Sequence, residues 1–270
     1  MTQPSQIFAQ QIRAEAIKMV TAAKASHIGG ALSMSDLLAV LYGEILRVHP
    51  TELAWPERDR FILSKGHGCA SLYATLALRG FFPLEELQTY GQDGSRLMAH
   101  VSHKIPGVEF STGSLGHGLG FACGKALAAK RRKKNWRAFV MLSDGELDEG
   151  SNWEAILFAP HHKLDNLVAV VDYNKIQSLG SVKEVLDLHP LAEKFRAFGW
   201  AVKEIDGHNH DAIRSALQTL PFEPSQPSCL IAHTVKGKGV DYMENKLLWH
   251  YRTPDAGQLK QALEQLGGTP

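Results

Sequence analysis

Two short stretches decide the fold: Ser143-Asp144-Gly145-Glu146-Leu147-Asp148-Glu149-Gly150, and Asn174-Lys175-Ile176 further along the chain. Each follows an apolar run, residues 139–142 for the first stretch and 167–171 for the second. The segment 152–162 between them has the composition of a helix. The order predicts strand, turn, helix and strand, with polar side chains at the ends of two strands. Ligands bind beyond the carboxyl ends of strands in open α/β sheets.

The two strand ends carry oxygen atoms that a hard divalent cation prefers. The Asp144 carboxylate, the Asn174 amide oxygen and the Ile176 backbone carbonyl are the candidate ligands. Mg²⁺ bound in this way keeps its other positions for water and substrate phosphates. Gly145 has no Cβ and lets the backbone approach such a ligand closely. The pattern predicts a diphosphate site with Mg²⁺, or with Ca²⁺ or Mn²⁺, although each half alone also fits an ordinary turn or helix cap.

Strands and helices alternate over the rest of the chain. Further helices are predicted at residues 6–25, 37–46 with Ser35-Asp36 as its cap, 69–78, 121–130, 191–198 and 211–220. Further strands are predicted at residues 60–63, 200–205 and 229–234. The alternation predicts an α/β fold, a doubly wound and mostly parallel sheet flanked by helices, as a single domain over residues 1–270. Residues 88–112 are loop-rich, and a loop that long in a compact domain is usually functional.

Composition excludes several function classes. The 270 residues carry a formal net charge of +1, so no large field attracts nucleic acid or a membrane surface. The three cysteines lack metal-type spacing, which indicates a reducing cytoplasm without a disulfide framework. The sequence has neither an apolar segment long enough to cross a membrane nor the apolar core of a signal peptide. These features predict a cytoplasmic protein without a nucleic-acid or membrane partner.

The paired strand ends resemble a known signature. Asp144-Gly145 followed by Asn174 is similar to the Gly-Asp-Gly…Asn motif of thiamine diphosphate enzymes, with Ser143 in place of the first Gly. Within that superfamily the sequence from His27 to His250 resembles the N-terminal half of transketolase. The resemblance implies the thiamine diphosphate-binding fold and metal ligation by Asp144, Asn174 and Ile176. It also implies cofactor contacts from these three residues and from Gly145 and Glu146.

A glycine-rich loop extends the resemblance. Residues 112–116, Thr-Gly-Ser-Leu-Gly, match the transketolase loop Thr-Gly-x-Leu-Gly, in which the family usually has Pro at the Ser114 position. A glycine-rich turn before a helix can bind an anion through its backbone N–H groups. The resemblance implies that Gly113, Ser114 and Leu115 contact the cofactor.

Four histidines match positions that transketolases place in the active-site cleft: His27, His67, His100 and His250. The resemblance implies that they are catalytic and contact the diphosphate or the hydroxyls and carbonyl of a sugar, with His67 and His250 also binding the cofactor. Imidazole suits this work because it exchanges protons near pH 7. A single loop histidine is more commonly structural. Tyr251 follows His250 where many split transketolases have Gly, which is a departure on the substrate side.

The resemblance also implies a partner. Enzymes of this superfamily use a glutamate on a second, pyrimidine-binding domain, and the sequence offers no second α/β unit to carry it. We therefore predict the N-terminal subunit of a split transketolase, with a separate chain that supplies the pyrimidine-binding and C-terminal domains in an α2β2 heterotetramer. The expected reaction transfers a two-carbon ketol unit from a ketose or ketose phosphate to an aldose or aldose phosphate.

Two alternatives remain open at this stage. The first is a subunit of another thiamine diphosphate enzyme, a deoxyxylulose-phosphate synthase-like enzyme or a decarboxylase. The histidine set and the segment 106–109, Pro-Gly-Val-Glu, favour transketolase over the decarboxylases. The second alternative is a non-catalytic paralogue that binds the cofactor. The presence of Asp144, Asn174 and the four histidines argues against it.

Overall fold

Five parallel strands form the centre of the structure, a computed structural model that describes residues 4–267. They are β1 (Arg60–Leu63), β2 (Ala138–Ser143), β3 (Leu167–Tyr173), β4 (Ala201–Asp206) and β5 (Ser228–His233). Their order is β1-β2-β3-β5-β4, and every neighbouring pair is parallel. The predicted parallel α/β sheet flanked by helices is confirmed. The ends of the predicted domain, residues 1 and 270, lie outside the described residues.

The central strands are buried on both faces, which explains why their sequences are continuous apolar runs rather than alternating ones. All seven residues of β3 are buried. Successive side chains of a strand point to opposite faces. The first core accordingly includes Phe139, Met141, Val168 and Val170, and the second includes Val140, Leu142, Ala169 and Val171.

Helices cover both faces of the sheet. The first core contains residues of α1 (Pro4–Ala22), α2 (Ile28–Ser33), α3 (Ser35–Val40), α4 (Cys69–Leu78), α9 (His210–Gln218) and α10 (Ala256–Gln265). The second contains residues of α5 (Gly118–Arg131), α6 (Gly150–His161), α7 (Val182–Val185) and α8 (Leu191–Ala197). Among residues 4–267, no helix is long and apolar enough to cross a membrane.

The predicted helix over residues 37–46 is wrong in its start and in its cap. The structure places Ser35 and Asp36 inside α3, and the chain continues as a π-helical turn, Leu41–Ile45. Asp36 does not cap the helix because its carboxylate pairs with Arg13 of α1. The first helix ends at Ala22 rather than at residue 25, and α2 begins at Ile28, where a connection was expected.

The segment between β1 and β2 contains the long predicted loop. A 3-10 helix, Leu84–Thr89, is followed by residues 90–117, in which the structure has neither a strand nor a helix. This irregular segment ends at α5 and lies on the same side of the sheet as the polar strand ends, since its Thr112 side chain donates to the Leu63 carbonyl at the end of β1.

A buried ion cluster joins the first helices to the far half of the sheet. Asp36 is 5% exposed and accepts hydrogen bonds from Arg13 Nη2 at 2.5 Å, His208 Nδ1 at 2.7 Å and His210 Nε2 at 2.9 Å. His208 Nε2 accepts the Val235 N–H at 2.8 Å, so the cluster reaches the loop that follows β5. Burial opposes ionisation of Asp36, but the Arg13 charge and both histidines hold its pKa well below the usual range.

We expect Asp36→Asn to lower the free energy of unfolding at pH 7 by about 3–5 kcal/mol, because it leaves Arg13 buried without its charge partner. The contribution of Asp36 is complete above the unfolded-state pKa of about 3.9 and is lost as the pH falls toward the lower folded-state pKa. Urea unfolding at pH 7 and at pH 3 measures it, with Asp93→Asn in an exposed loop as the control. A small difference at pH 7, or one that grows in acid, would contradict this account.

Candidate active site

A cavity of about 480 Å³ opens at the carboxyl end of the sheet. Segments that follow β1, β2, β3 and β5 contribute to its lining, as expected for a ligand site in a parallel α/β sheet. Most of the predicted site residues line it: His27, His67, Leu115, Asp144, Gly145, Asn174, Ile176 and His250. The structure therefore brings together side chains that are up to 223 positions apart in sequence, from position 27 to position 250.

The loops after β2 and β3 form one hydrogen-bonded unit. Strand pairing sets Ser143 opposite Asp172, so that Asp144 and Asn174 leave neighbouring strands side by side. Asp144 Oδ2 accepts the Lys175 N–H at 2.6 Å. Lys175 has a φ of +70°, in the left-handed region that non-glycine residues rarely adopt. The Asp144 carboxylate thus stabilises the turn that presents Asn174 and the residue after Lys175.

The donor set at these strand ends fits a hard divalent cation. Among residues 4–267, no three His, Cys, Asp or Glu side chains form a metal-binding group, so a metal here needs amide and carbonyl oxygens as well. Asp144, Asn174 and the Ile176 carbonyl supply such oxygens. Burial, together with the charge of Asp172, raises the pKa of Asp144 to about 6. A cation beside Asp144 would favour its ionised form.

The four predicted histidines form a row of neighbouring rings. Ring centroids are 4.9 Å apart for His250 and His27, 4.6 Å for His27 and His67, and 4.5 Å for His67 and His100. The His27 N–H also donates to the His250 carbonyl at 2.8 Å, which joins the start of α2 to the segment after β5. His100 is not part of the cavity lining and reaches it through His67.

The imidazoles that line the cavity are held in their neutral form. Burial, then the charges of His67, His100 and Lys236, lower the pKa of His27 to about 4. Burial, then Lys236 and the neighbouring histidines, lower the pKa of His250 to about 3. The Lys236 ammonium donates to His250 Nδ1 at 2.9 Å, which leaves the ring proton on Nε2. A neutral imidazole can accept a proton and return it, as general acid–base catalysis requires.

Two lysines in the cavity are functional candidates that the sequence did not reveal. Lys236 also donates to the Ile176 carbonyl at 2.9 Å, and burial lowers its pKa to about 8. Lys65 is held by Asp172, a fully buried carboxylate at the end of β3, through a bond of 2.5 Å. Burial opposes ionisation of Asp172, but the Lys65 charge and its other hydrogen bonds keep its pKa below the usual range. The signal was available, since Asp172 is a charged residue in an otherwise apolar strand.

Other predicted contacts lie beside or behind the cavity. Gly113 packs against His100, since a Cβ on Gly113 would lie 2.8 Å from the imidazole Cδ2. Ser114 is exposed, and Glu146 is fully buried; neither lines the cavity. Their assignment as direct cofactor contacts stays a prediction. Tyr251, in contrast, does line the cavity, with its ring centroid 4.7 Å from that of His250.

Comparison with known proteins identifies the class. The protein family described as "Transketolase, thiamine diphosphate binding domain" matches residues 5–270. The chain belongs to the transketolase family, and the expected resemblance is confirmed.

Two relatives match the chain over most of its length. One of the two subunits of an apulose-4-phosphate transketolase, from Phocaeicola vulgatus, is 41% identical over 254 residues, which are 94% of this chain and 90% of that protein. The 6-deoxy-6-sulfo-D-fructose transketolase subunit SqwG of a Clostridium species is 43% identical over 241 residues, which are 89% of this chain and 88% of that protein. The chain thus matches nearly the whole of proteins that are named as transketolase subunits.

Solved transketolases have the same fold in this region. The transketolase from Leishmania mexicana matches with a TM-score of 0.93 at 28% identity, over 100% of this chain and 42% of that one. The transketolase from Campylobacter jejuni matches with a TM-score of 0.91 at 31% identity, over 100% and 44%. The chain spans about two fifths of the length of these transketolases.

Proposed function

We propose that the chain is the N-terminal subunit of a split transketolase and transfers a two-carbon ketol unit from a ketose to an aldose. The observation that carries the proposal is a single cavity that joins the Asp144 and Asn174 strand ends to the histidine row. The match to subunits of split transketolases supports the same function. This combination favours ketol transfer over the two alternatives, a non-catalytic paralogue and the subunit of a decarboxylase.

The cofactor site is proposed at the ends of β2 and β3. Asp144, Asn174 and the Ile176 carbonyl would hold Mg²⁺, or Ca²⁺ or Mn²⁺, and through it the diphosphate of thiamine diphosphate. When bound, thiamine diphosphate supplies the carbon nucleophile that cleaves and forms carbon–carbon bonds. Gly145 allows close approach of the backbone, and Lys236, largely cationic at neutral pH with a pKa of about 8, adds positive charge on the same side.

The histidine row is proposed to move the protons of the reaction. Cleavage of the donor C2–C3 bond releases an aldehyde, and the C3 hydroxyl must then lose its proton. Addition to the acceptor aldehyde forms a new hydroxyl, which requires a proton. His27, His67 and His250 line the cavity, and their pKa values are below the ordinary value for histidine. A neutral imidazole can therefore accept the first proton and supply the second.

The proposed substrates are sugars with an anionic terminal group. The names of two relatives specify apulose 4-phosphate and 6-deoxy-6-sulfo-D-fructose, which carry a phosphate and a sulfonate. We extend this class, and not the individual sugars, to the present chain. Tyr251 is 58% exposed beside His250, and its phenol is placed to contact the sugar beyond the reacting carbons.

A partner subunit is proposed to cover the mouth of the cavity. Leu179 is 78% exposed and Leu248 is 55% exposed, and the exposed side chains of Val185 and Tyr251 lie on the same rim. Exposed apolar side chains grouped around a cavity are typical of an interaction surface. The proposed occupant is a separate C-terminal subunit with the pyrimidine-binding and C-terminal domains, and two copies of each chain would form an α2β2 heterotetramer.

The assembly prediction is tested by reconstitution. We expect the purified chain with thiamine diphosphate and Mg²⁺ to show no ketol transfer between a ketose phosphate and an aldose phosphate, because half of the cofactor site is absent. Addition of the C-terminal subunit should restore turnover without release of CO₂. Mass spectrometry of the sugar products and a CO₂ assay measure both. Turnover by the chain alone would contradict the two-chain proposal, and CO₂ release would contradict ketol transfer.

The metal site is tested by Asp144→Ala. Loss of a buried charged ligand costs about 2–5 kcal/mol, so we expect thiamine diphosphate to bind the assembled protein at least about 30-fold more weakly at saturating Mg²⁺. Calorimetric titration measures the affinity, and Asp93→Ala in an exposed loop is the control. The variant should also lose the dependence of binding on Mg²⁺. Wild-type affinity in the variant would remove Asp144 from the ligand set.

A further inference from the structure

A fully buried carboxylate lies directly behind the proposed cofactor site. Glu146 Oε1 accepts the Ser64 hydroxyl at 2.5 Å and the Gly116 N–H at 3.0 Å. Its Oε2 has no hydrogen-bond partner among the described residues. Glu146 does not line the cavity, although it follows Asp144 by two positions. Its hydrogen bonds point to the glycine-rich loop instead.

Ser64 extends this contact to the start of α5. Ser64 Oγ donates to Glu146 and accepts the Gly118 N–H at 3.1 Å. The first N–H groups of a helix have no partner inside the helix and need an external acceptor. The Glu146–Ser64 pair therefore satisfies one N–H inside the glycine-rich loop, at Gly116, and one at the first residue of α5, at Gly118.

The loop is packed too closely to hold its position in another way. A Cβ on Gly118 would lie 2.3 Å from Ser64 Oγ, and a Cβ on Gly116 would lie 2.4 Å from Ser151 Oγ. Gly116 also has a φ of +84°, a conformation that glycine adopts readily. The backbone of the loop thus rests directly on the polar side chains that surround it, with Glu146 as the acceptor at the centre.

Three walls of the cavity meet at this carboxylate. Ser64 immediately precedes the segment with Lys65 and His67, Glu146 belongs to the segment with Asp144, and the loop presents Leu115 to the cavity. A displacement of any of these segments would break a hydrogen bond of a fully buried acceptor, which is costly.

We propose that Glu146 is a positioning residue that fixes the glycine-rich loop, residues 113–116, against the diphosphate end of the site and does not touch the cofactor. This inference rests on the proposed function and deepens it, because it separates the residues that hold the cofactor from the one that holds the loop. It also replaces the direct contact that the sequence resemblance implies for Glu146.

The experiment compares Glu146→Ala, Glu146→Gln and the exposed control Glu193→Gln in the chain assembled with its partner subunit. Removal of the acceptor should weaken thiamine diphosphate binding about tenfold or more. The carboxamide oxygen of Gln still accepts, so Glu146→Gln should stay within about threefold of the wild-type affinity. The control should bind like the wild type. Calorimetric titration with thiamine diphosphate at saturating Mg²⁺ gives these affinities.

A second readout separates positioning from contact. In the cofactor-free chain, Glu146→Ala should reduce hydrogen-exchange protection of the Gly116 amide, whereas a direct contact predicts no change there. Ser64→Ala should reproduce part of the affinity loss, and the double variant should lose less than the product of the single losses because both act through one unit.

Three results would overturn the inference: wild-type affinity in Glu146→Ala, lost affinity with unchanged Gly116 protection, or fully additive losses in the double variant. If Glu146→Ala does not fold, Glu146→Gln and Ser64→Ala carry the same two readouts. Failure here is distinguishable from failure of the proposed function, because the wild-type assembly would still catalyse ketol transfer.

Discussion

The site depends on one hydrogen bond, from the Lys175 N–H to the Asp144 carboxylate, between the loops after β2 and β3. Parallel pairing of these strands sets the two loops side by side, and the bond then fixes the left-handed turn at Lys175 that presents Asn174 and Ile176. Burial and the nearby Asp172 raise the pKa of Asp144 to about 6. This carboxylate therefore has an electrostatic need for a cation, which the proposed metal would meet.

Other buried acidic groups hold the remaining strand ends in the same manner. Asp172 accepts from Lys65 and Ser33, which joins β3 to the segment after β1 and to α2. Glu146 accepts from Ser64 and from the glycine-rich loop. Asp36 accepts from His208, which in turn accepts the N–H of the residue before Lys236. Each carboxylate is bound by donors from a different segment, so the loops that carry the chemistry are fixed by the core rather than by their own sequences.

Local patterns predicted the sheet, the metal ligands and the histidine row, because apolar runs and the residues that follow them lie close together in sequence. The capping signals Ser181 with Glu184 and Asp255 with Gln258 mark α7 and α10, and those helices could have been predicted from them. Asp36 could not, since its partner Arg13 lies 23 positions away. The direction of the Glu146 side chain has the same cause: it depends on the packing of Ser64 and Gly116, which no local pattern encodes.

The central claim is that this chain holds the diphosphate end of the cofactor and a second chain holds the pyrimidine end. A crystal structure of the assembled protein with thiamine diphosphate and Mg²⁺ tests it most directly. The account predicts a metal ion bound by Asp144, Asn174 and the Ile176 carbonyl, with the diphosphate beside it and the aminopyrimidine ring held by a glutamate of the partner subunit. A metal bound elsewhere, or an aminopyrimidine enclosed by residues of this chain alone, would contradict it.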